Sequence, residues 1–340
     1  MDGTLNQIAR AIVAPGKGIL AADESSGTIK KRFDSINVES TEDRRRAYRE
    51  MLFTTKGAAE HISGVILFDE TIRQAASDGR PLAKILEEQG IIPGIKVDKG
   101  TTPLAKSAGE LVTDGLDGLR ARLVEYRELG ARFAKWRAVI DIADGIPSQY
   151  CLDVNAHALA RYAVLCQDEG IVPIVEPEVL MDGDHSIERC SAVTTATLLT
   201  VFDALIAQRI ELEGMLLKPN MVIPGKKFAG GKAAPDEVAD ATIACFREVV
   251  PAAVPGILFL SGGQGDEEAT ANLDAINKKG PHPWQFSFSY GRALQAPALK
   301  AWKGDDANIA AGQAAYLHRS QMNGLARTGE WSEAAEKAAS

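Results

Sequence analysis

Lys218 is the residue in this sequence whose setting most directly indicates chemistry. It follows the apolar run GMLL and is followed at once by proline, a pattern typical of a buried strand that carries one amine at its carboxyl end. Burial and neighbouring positive charge both disfavour the ammonium form, so such an amine can attack a carbonyl carbon and form a Schiff base. The alternative is a lysine that leaves the strand for solvent, with its stem packed on apolar surface.

Other charged or small polar residues follow similar apolar runs along the chain. In chain order they are Asp23, Lys96 and Asp98, Lys135 and Arg137, Glu176 and Glu178, Lys218, Ser261 with Gly262 and Gly263, and Ser289 with Gly291 and Arg292. Side chains two residues apart on a strand share a face, so each such pair can point in one direction. Burying so many charges is costly unless they pair with one another or with a ligand, and we therefore expect a common site.

The types of these residues predict separate roles. Lys135 and Lys96 would place positive charge beside Lys218, which favours the neutral, nucleophilic amine. Glu176 is suited to moving protons as water is lost and regained, and Asp23 is a second carboxylate that can take a proton from a substrate hydroxyl. The sequence thus supplies one nucleophile and two candidate acid–base groups.

Two groups of residues are suited to binding anions. Residues 261–263 and 290–292 combine glycine-rich turns with Arg292, as in barrel phosphate sites made of backbone N–H groups and a cation. A second anion could be held across the same site by positively charged side chains, namely Lys31, Arg32, Lys96 and Arg137.

Several other residues have a structural interpretation as well as a functional one. Asp69 precedes a helical stretch, and helix capping is its favoured role. For Asp98, Glu178 and Asn220, support of the reactive residues and structural contacts remain equally good interpretations. The five histidines show no paired ligand spacing, and we interpret His185, in the segment DGDH, as part of a polar loop. We therefore predict no metal site.

The strands that would deliver these residues recur regularly along the chain. The apolar candidates are residues 19–23, 64–69, 91–98, 133–139, 172–179, 214–220, 256–263 and 284–291. Helical patterns lie at 5–13, 43–56, 81–89, 116–129, 156–168, 186–208, 235–250, 267–277 and 293–300. Eight strand–helix units in series predict an α/β protein, a parallel (β/α)8 TIM barrel with its reactive residues at the carboxyl ends of the strands.

We expect residues 1–340 to form a single domain. The barrel would occupy about residues 17–302, preceded by a short N-terminal helix, and a C-terminal helix with a polar, frayed tail would occupy about residues 305–340. Residues 224–234, rich in glycine and lysine, are expected to form a mobile loop above the barrel.

Composition argues against several classes of function. The chain has 340 residues, 45% hydrophobic, with a formal net charge of -8, which disfavours general nucleic-acid binding. Four cysteines are scattered without a CxxC pair, as expected for reduced thiols in a cytosol. We find no apolar signal core near the N-terminus and no window that resembles a membrane span of about 20 apolar residues. These features predict a soluble cytoplasmic protein that does not bind nucleic acid or membranes.

The motifs around these residues resemble those of class I fructose-1,6-bisphosphate aldolases. The resembling segments are GILAADES at 18–25, GIKVDKG at 94–100, FAKWR at 133–137, VPIVEPE at 172–178, LLKPN at 216–220, LSGGQ at 260–264 and FSYGRALQ at 288–295. They occur in the order of that family and extend, with their surroundings, over roughly residues 8–302. Agreement of many long motifs in order is highly specific.

The resemblance implies reversible cleavage of fructose 1,6-bisphosphate to dihydroxyacetone phosphate and glyceraldehyde 3-phosphate, in glycolysis and gluconeogenesis. Lys218 would form a Schiff base with the C2 ketone, and Asp23 would remove the C4 hydroxyl proton as the C3–C4 bond breaks. Glu176 would serve the proton transfers, with Lys135 orienting groups and tuning charge. Glu178 completes the candidate catalytic set.

The resemblance also implies how the substrate is held. Ser261, Gly262, Gly291 and Arg292 would hold the C1 phosphate, and Ser25, Thr28, Lys96 and Arg137 would lie toward the C6 phosphate; Ser289 is added to the substrate-binding residues. The imine would act as the electron sink, so the resemblance implies no metal or other cofactor. Sugar phosphates would be the ligands and a homotetramer the assembly.

Three departures from the family pattern bear on these expectations. Thr28 stands where animal members have serine, which keeps a hydroxyl group. Residues 224–234 are unlike the animal pattern, which concerns loop motion rather than chemistry. The sequence ends in Ala338-Ala339-Ser340 without the C-terminal tyrosine that animal members use to protonate the enamine, so we expect Glu176 or water to do this slowly.

Two other interpretations remain open at this point. One is another Schiff-base barrel lyase, of the deoxyribose-phosphate aldolase or transaldolase type, although two phosphate groups at one mouth favour a bisphosphate. The other is a catalytically idle barrel that serves as a binding protein. The retention of Lys218, Glu176, Asp23 and Lys135 together speaks against an idle site.

Overall fold

The structure is a computed structural model that describes residues 3–338. Within them the strands are β1 Gly18–Ala22, β2 Ile62–Leu67, β3 Ile92–Lys96, β4 Thr101–Pro103, β5 Leu111–Thr113, β6 Phe133–Ile140, β7 Val172–Val179, β8 Leu216–Leu217, β9 Gly256–Phe259 and β10 Gln285–Tyr290. A closed barrel runs in the order β1-β10-β9-β8-β7-β6-β3-β2, with parallel pairing throughout. The predicted TIM barrel is confirmed.

Helices surround the barrel and alternate with its strands. They are α1 Leu5–Ile12, α2 Ser26–Asp34, α3 Glu42–Phe53, α4 Asp69–Arg73, α5 Leu82–Glu88, α6 Leu119–Glu128, α7 Gln149–Asp168, α8 Ile187–Ala207, α9 Pro235–Val249, α10 Asp266–Lys278, α11 Arg292–Trp302, α12 Ile309–Thr328 and α13 Glu333–Ala338. The sequence pattern does not predict α2, because its nine residues are mostly polar and bury only Ile29 and Phe33.

Two apolar layers follow from the alternation of side chains along the strands. Ile19 of β1 belongs to the cluster inside the barrel, whereas Leu20 belongs to the layer between the strands and the helices. Ile8 and Ile12 of α1 pack on the inner cluster. α1 therefore covers the amino-terminal end of the barrel. The polar candidate residues lie at the opposite end, where the strands have their carboxyl ends, and we call this end the mouth.

Some local predictions need correction. β4 and β5 form an antiparallel hairpin that the sequence pattern does not predict. The predicted strand at 214–220 is regular only over β8, which has two residues. Asp69 is the first residue of α4 and Phe68 is its N-cap; Asp69 Oδ1 accepts hydrogen bonds from Arg73 Nε at 3.0 Å and the Tyr126 hydroxyl at 2.8 Å. Asp69 is therefore not the cap of its helix.

The first part of the 224–234 loop is anchored rather than free. The backbone N–H groups of Gly225, Lys226 and Lys227 donate to the carbonyl oxygens of His185 at 2.8 Å, Met181 at 2.8 Å and Gly183 at 3.0 Å. These main-chain hydrogen bonds join this part of the segment to the loop that follows β7, a connection that the sequence pattern does not predict.

The C-terminal segment is also more ordered than the expected frayed tail. Glu336 of α13 is buried, accepts a hydrogen bond from Trp331 Nε1 at 2.8 Å and pairs with Arg319 and with His318 Nε2 of α12. These contacts dock α13 on α12, so residues Glu333–Ala338 of the predicted tail are helical.

One helix among the described residues, α8, has the length and composition of a membrane span, with a mean hydropathy of 1.6 over its most apolar window. The expectation that no window resembles a span was therefore wrong. Val193, Leu198, Val201 and Phe202 of α8 are buried in the layer between helices and strands. Their burial in the barrel wall accounts for part of the apolar composition of α8, whereas Leu199 and Ile206 on its outer face are exposed.

Candidate active site

Strand register brings the candidate residues together at the mouth. Lys96 lies opposite Lys135 across β3 and β6, and Arg137 lies opposite Glu176 across β6 and β7. The Lys218 N–H donates to the Val175 carbonyl oxygen at 2.8 Å, which continues the pairing of β7 and β8 by one residue. The order of these residues around the barrel therefore follows directly from the order of the strands.

Lys135 is the centre of a buried ionic cluster. Its Nζ lies 2.7 Å from Asp23 Oδ2, 3.3 Å from Glu176 Oε2 and 3.8 Å from Asp98 Oδ2. Lys218 Nζ lies 3.3 Å from the other oxygen of the same glutamate, Oε1. Glu176 thus contacts both lysines, and the nucleophile expected from the sequence is next to the expected proton carrier.

The charges of this cluster set its protonation. Burial by itself would lower the pKa of Lys135, but the carboxylates of Asp23, Glu176 and Asp98 outweigh burial and raise it. Burial would likewise raise the pKa of Asp23, but Lys135 and Lys218 outweigh burial and lower it well below its usual range. At neutral pH, Lys135 is therefore an ammonium and Asp23 a carboxylate, ready to accept a proton.

The three residues left open by the sequence make specific contacts. Asp98 Oδ1 lies 2.7 Å from Lys96 Nζ. Glu178 pairs with Arg137, yet burial raises the pKa of Glu178 more than this partner lowers it. Asn220 Oδ1 accepts a hydrogen bond from the Val179 N–H at 3.1 Å. Asp98 and Glu178 therefore hold cations at the mouth, whereas Asn220 ties β7 to the segment after β8.

All candidate substrate-binding residues line one cavity of about 1160 Å³ at the mouth. The lining includes Ser261, Gly262, Ser289, Gly291 and Arg292, and it also includes Ser25, Thr28, Lys31, Arg32, Lys96 and Arg137. The two sets are neighbours at one point, because an added Cβ on Gly291 would be 3.5 Å from Arg32 Nη2. We call these the β10-side group and the α2-side group. The cavity also contains Lys218, Lys135, Glu176 and Asp23, so both groups face the ionic cluster.

The local geometry of both groups suits an anion. Gly291 is the N-cap of α11 and Ser25 is the N-cap of α2, so each group includes a helix amino terminus. Gly262 lies close to the cluster, because an added Cβ would be 2.9 Å from Glu178 Oε1. Among residues 3–338, the buried Ser289 hydroxyl has no hydrogen-bond partner, which leaves it available to a ligand.

Sequence reasoning missed the outer part of this cavity and the residues behind it. Arg73, Lys99, Arg122 and Tyr126 also line the cavity. Lys99 lies in the loop shortly after β3, and the other three lie on α4 and α6, away from the strand ends. Glu24, next to Asp23 in the sequence, is buried behind the mouth. The sequence signal that could have identified Glu24 is its position directly after the aspartate at a strand end. The signal was not sufficient, because the partners of Glu24 come from distant parts of the chain.

Residues 3–338 contain no group of three or more His, Cys, Asp or Glu side chains arranged to hold a metal ion. His185 lies in the loop after β7, and burial lowers the pKa of its imidazole. The interpretation of this segment as a loop is therefore confirmed.

A closed (β/α)8 barrel with a buried cluster of lysines and carboxylates at its mouth is the arrangement of a barrel enzyme. A family model described as glycolytic, fructose-bisphosphate aldolase class-I, matches residues 4–340. The chain belongs to the class-I fructose-bisphosphate aldolase family.

Relatives and a solved structure agree with this assignment. The chain is 58% identical over 328 residues to a Xanthomonas campestris pv. campestris protein named probable fructose-bisphosphate aldolase class 1, covering 96% of this chain and 98% of that protein. It is 55% identical over 319 residues to cytosolic fructose-bisphosphate aldolase 4 of Arabidopsis thaliana, covering 94% and 81%. A Plasmodium falciparum aldolase structure, solved with TRAP and a small molecule inhibitor, matches with a TM-score of 0.95 at 49% identity, covering 96% and 95%.

Proposed function

We propose that the chain is a lyase that reversibly cleaves fructose 1,6-bisphosphate through a Schiff base on Lys218. The observation that carries the proposal is the buried Lys218 amine 3.3 Å from Glu176 Oε1, at the mouth of a closed barrel. By its family, the enzyme would serve glycolysis and gluconeogenesis. Relatives named cytosolic support a cytoplasmic location.

The reaction begins when the Lys218 amine attacks the C2 carbonyl carbon. Glu176 accepts protons from the Lys218 nitrogen as the carbinolamine forms and passes them to the C2 oxygen, which departs as water and leaves a protonated imine. Glu176 is placed for this step because its carboxylate contacts Lys218 on one oxygen and Lys135 on the other.

Cleavage then uses Asp23. This carboxylate accepts the C4 hydroxyl proton, the C3–C4 bond breaks, and its electron pair moves into the iminium to give an enamine on Lys218. Glyceraldehyde 3-phosphate leaves, and a proton from Glu176 or water adds to C3. The proton that Asp23 holds replaces the one given to C3, and hydrolysis of the imine releases dihydroxyacetone phosphate and the free Lys218 amine. Lys135, 2.7 Å from Asp23, keeps that carboxylate ionised between turnovers.

Phosphate binding orients the substrate across the cluster. We assign the C1 phosphate to Ser261, Gly262, Ser289, Gly291 and Arg292, and the C6 phosphate to Ser25, Thr28, Lys96 and Arg137. Arg137 is held by Glu178, which makes Glu178 a support for the substrate and the cluster. The ligands are thus sugar phosphates, and the mechanism needs no cofactor because the imine accepts the electron pair.

Borohydride reduction in the presence of dihydroxyacetone phosphate tests the proposal. We expect a reduced adduct on Lys218, found by mass mapping of peptides, together with loss of cleavage activity that a chelator does not cause. An adduct on Lys135 or Lys96 instead would show that the nucleophile is misassigned. The absence of any adduct, with no cleavage, would favour a barrel that only binds.

We also propose that the chain forms a homotetramer, and the outer face of α8 supports this. Leu199 and Ile206 are 46% and 58% exposed, and Ala192 and Ala196 lie on the same exposed face. An apolar helix face of this kind is suited to contact with another copy.

Light scattering on the wild type should give about four times the chain mass of 36.3 kDa. The double variant Leu199→Lys, Ile206→Lys should shift the mass toward smaller species, because two charges would be buried at the interface. Val124→Lys, an exposed apolar residue on α6, is the matched control and should remain tetrameric. A double variant that keeps the wild-type mass contradicts the use of this face.

A further inference from the structure

A buried polar network lies behind the cavity and joins α11 to the segment that precedes α2. Gln295 of α11 is 1% exposed, and its Nε2 donates to the Ala21 carbonyl oxygen at 2.7 Å and to Glu24 Oε1 at 2.8 Å. Its Oε1 accepts hydrogen bonds from Arg49 Nη1 at 3.1 Å and from the Tyr48 hydroxyl at 3.2 Å. Both donor hydrogens and both lone pairs of this amide are therefore used.

Glu24 is the charged centre of the network. One of its carboxylate oxygens pairs with Arg49 and the other with Arg32. Burial would raise the pKa of Glu24, but the two guanidinium groups outweigh burial and lower it. Arg49 is buried, whereas Arg32 lines the cavity, so the network fixes a cation that faces the ligand.

The network connects the two helix amino termini at the mouth. Glu24 immediately precedes Ser25, the N-cap of α2. Gln295 lies about one helical turn after Gly291, the N-cap of α11. The hydrogen bond between Gln295 and Glu24 therefore links the α2-side group to the β10-side group, beside the strand pair β1 and β10 that closes the barrel.

We propose that Gln295 is a positioning residue which, through Glu24, fixes the distance between the two phosphate sites and makes the enzyme selective for sugar bisphosphates over sugar monophosphates. The inference rests on the proposed function, since it takes both groups as phosphate sites. A ligand with two phosphates gains from a preset distance between the sites, because no binding energy is spent on ordering them. A ligand with one phosphate gains nothing from that distance.

Binding of unreactive ligands measures this selectivity without catalysis. Hexitol 1,6-bisphosphate and hexitol 1-phosphate have no carbonyl group, and calorimetric titration gives the ratio of their dissociation constants. In Gln295→Met and Gln295→Asn we expect the preference for the bisphosphate to fall about tenfold or more, while monophosphate affinity changes less than about threefold.

Tyr48→Phe is the matched control. It removes one hydrogen bond to Gln295 Oε1 but leaves the Nε2 contacts with Ala21 and Glu24. The wild-type ratio should persist in this variant. If Tyr48→Phe lowers the ratio as much as the Gln295 variants do, general loosening of the core is responsible and the proposal is overturned.

Equal weakening of both ligands in the Gln295 variants would also overturn the proposal, as would a wild-type protein that binds both ligands equally well. Thermal unfolding establishes that each variant is folded. If Gln295→Met does not fold, the ratio of dissociation constants in Gln295→Asn, which keeps an amide, tests the proposal. Failure of the proposed function has a different signature, since the wild type would then give no borohydride adduct on Lys218.

Discussion

Replacing Lys218 with methionine is expected to lower kcat/KM for fructose 1,6-bisphosphate by roughly 10⁴-fold or more. Methionine has no amine, so no imine forms and the electron pair of the C3–C4 bond has no acceptor. Its length is close to that of the buried lysine stem, so the fold should be retained. Steady-state cleavage and borohydride trapping measure the result, and the adduct should be absent.

Lys218→Arg separates the charge of this residue from its nucleophilicity. Arginine keeps a cation near Glu176, but its guanidinium stays protonated and does not attack carbonyl carbon at neutral pH. We expect both variants to lose activity to the same extent. Substantial activity in Lys218→Arg would mean that the lysine acts through its charge alone, which contradicts the Schiff-base mechanism.

Lys135→Met is expected to lower both stability and activity. Its Nζ lies within 3.8 Å of three carboxylates, those of Asp23, Asp98 and Glu176. Breaking a buried ionic cluster from one side costs about 3–5 kcal/mol in the free energy of unfolding. We also expect kcat to fall by about 10² to 10⁴-fold, because Asp23 without its ammonium partner takes up a proton and no longer accepts one.

The pKa shifts fix how that stability loss depends on pH. The folded-state pKa of Asp23 is lowered, so its stabilising contribution is present above its unfolded value of about 4 and is lost as pH falls through the folded value. The pKa of Lys135 is raised, so its contribution is present below about pH 10 and is lost only as pH rises through the folded value.

In Lys135→Met the pKa shift of Asp23 on folding changes direction. Burial now raises the pKa of Asp23 above its unfolded value, so the folded state takes up a proton as the pH falls. The difference in unfolding free energy between wild type and variant should therefore narrow between about pH 7 and pH 4. Denaturant titrations at several pH values measure it, with the exposed Lys84→Met as control. A difference that stays constant with pH would contradict the assignment of the loss to the carboxylates.

The parts of the fold and site that follow strand order could be predicted from the sequence. Apolar runs locate the barrel strands, and the charged residues within or just after them, such as Lys135 and Glu176, lie at the mouth because parallel strands share one end. The confirmed fold class rests on this regularity. The contacts within the site remained beyond prediction, since a strand pattern gives the end at which a side chain lies but not its partner.

Elements that bury little apolar surface were the ones missed. α2 has two buried side chains, Ile29 and Phe33, and the β4–β5 hairpin is largely exposed, so neither has a strong periodic signal. The Gln295–Glu24 contact was missed for another reason: its partners are 271 residues apart. Only closure of the barrel between β1 and β10 brings them together.

That closure has a consequence for protein synthesis. β1 is the first barrel strand to be made and β10 the last, and they lie side by side with Ile19 opposite Ser289. On the ribosome, Asp23 and Lys218 both precede the residues that complete the β10-side group. A chain stalled before Gly291 carries the lysine without the helix terminus that would orient a phosphate, so the complete site is available only once the last barrel strand has been added.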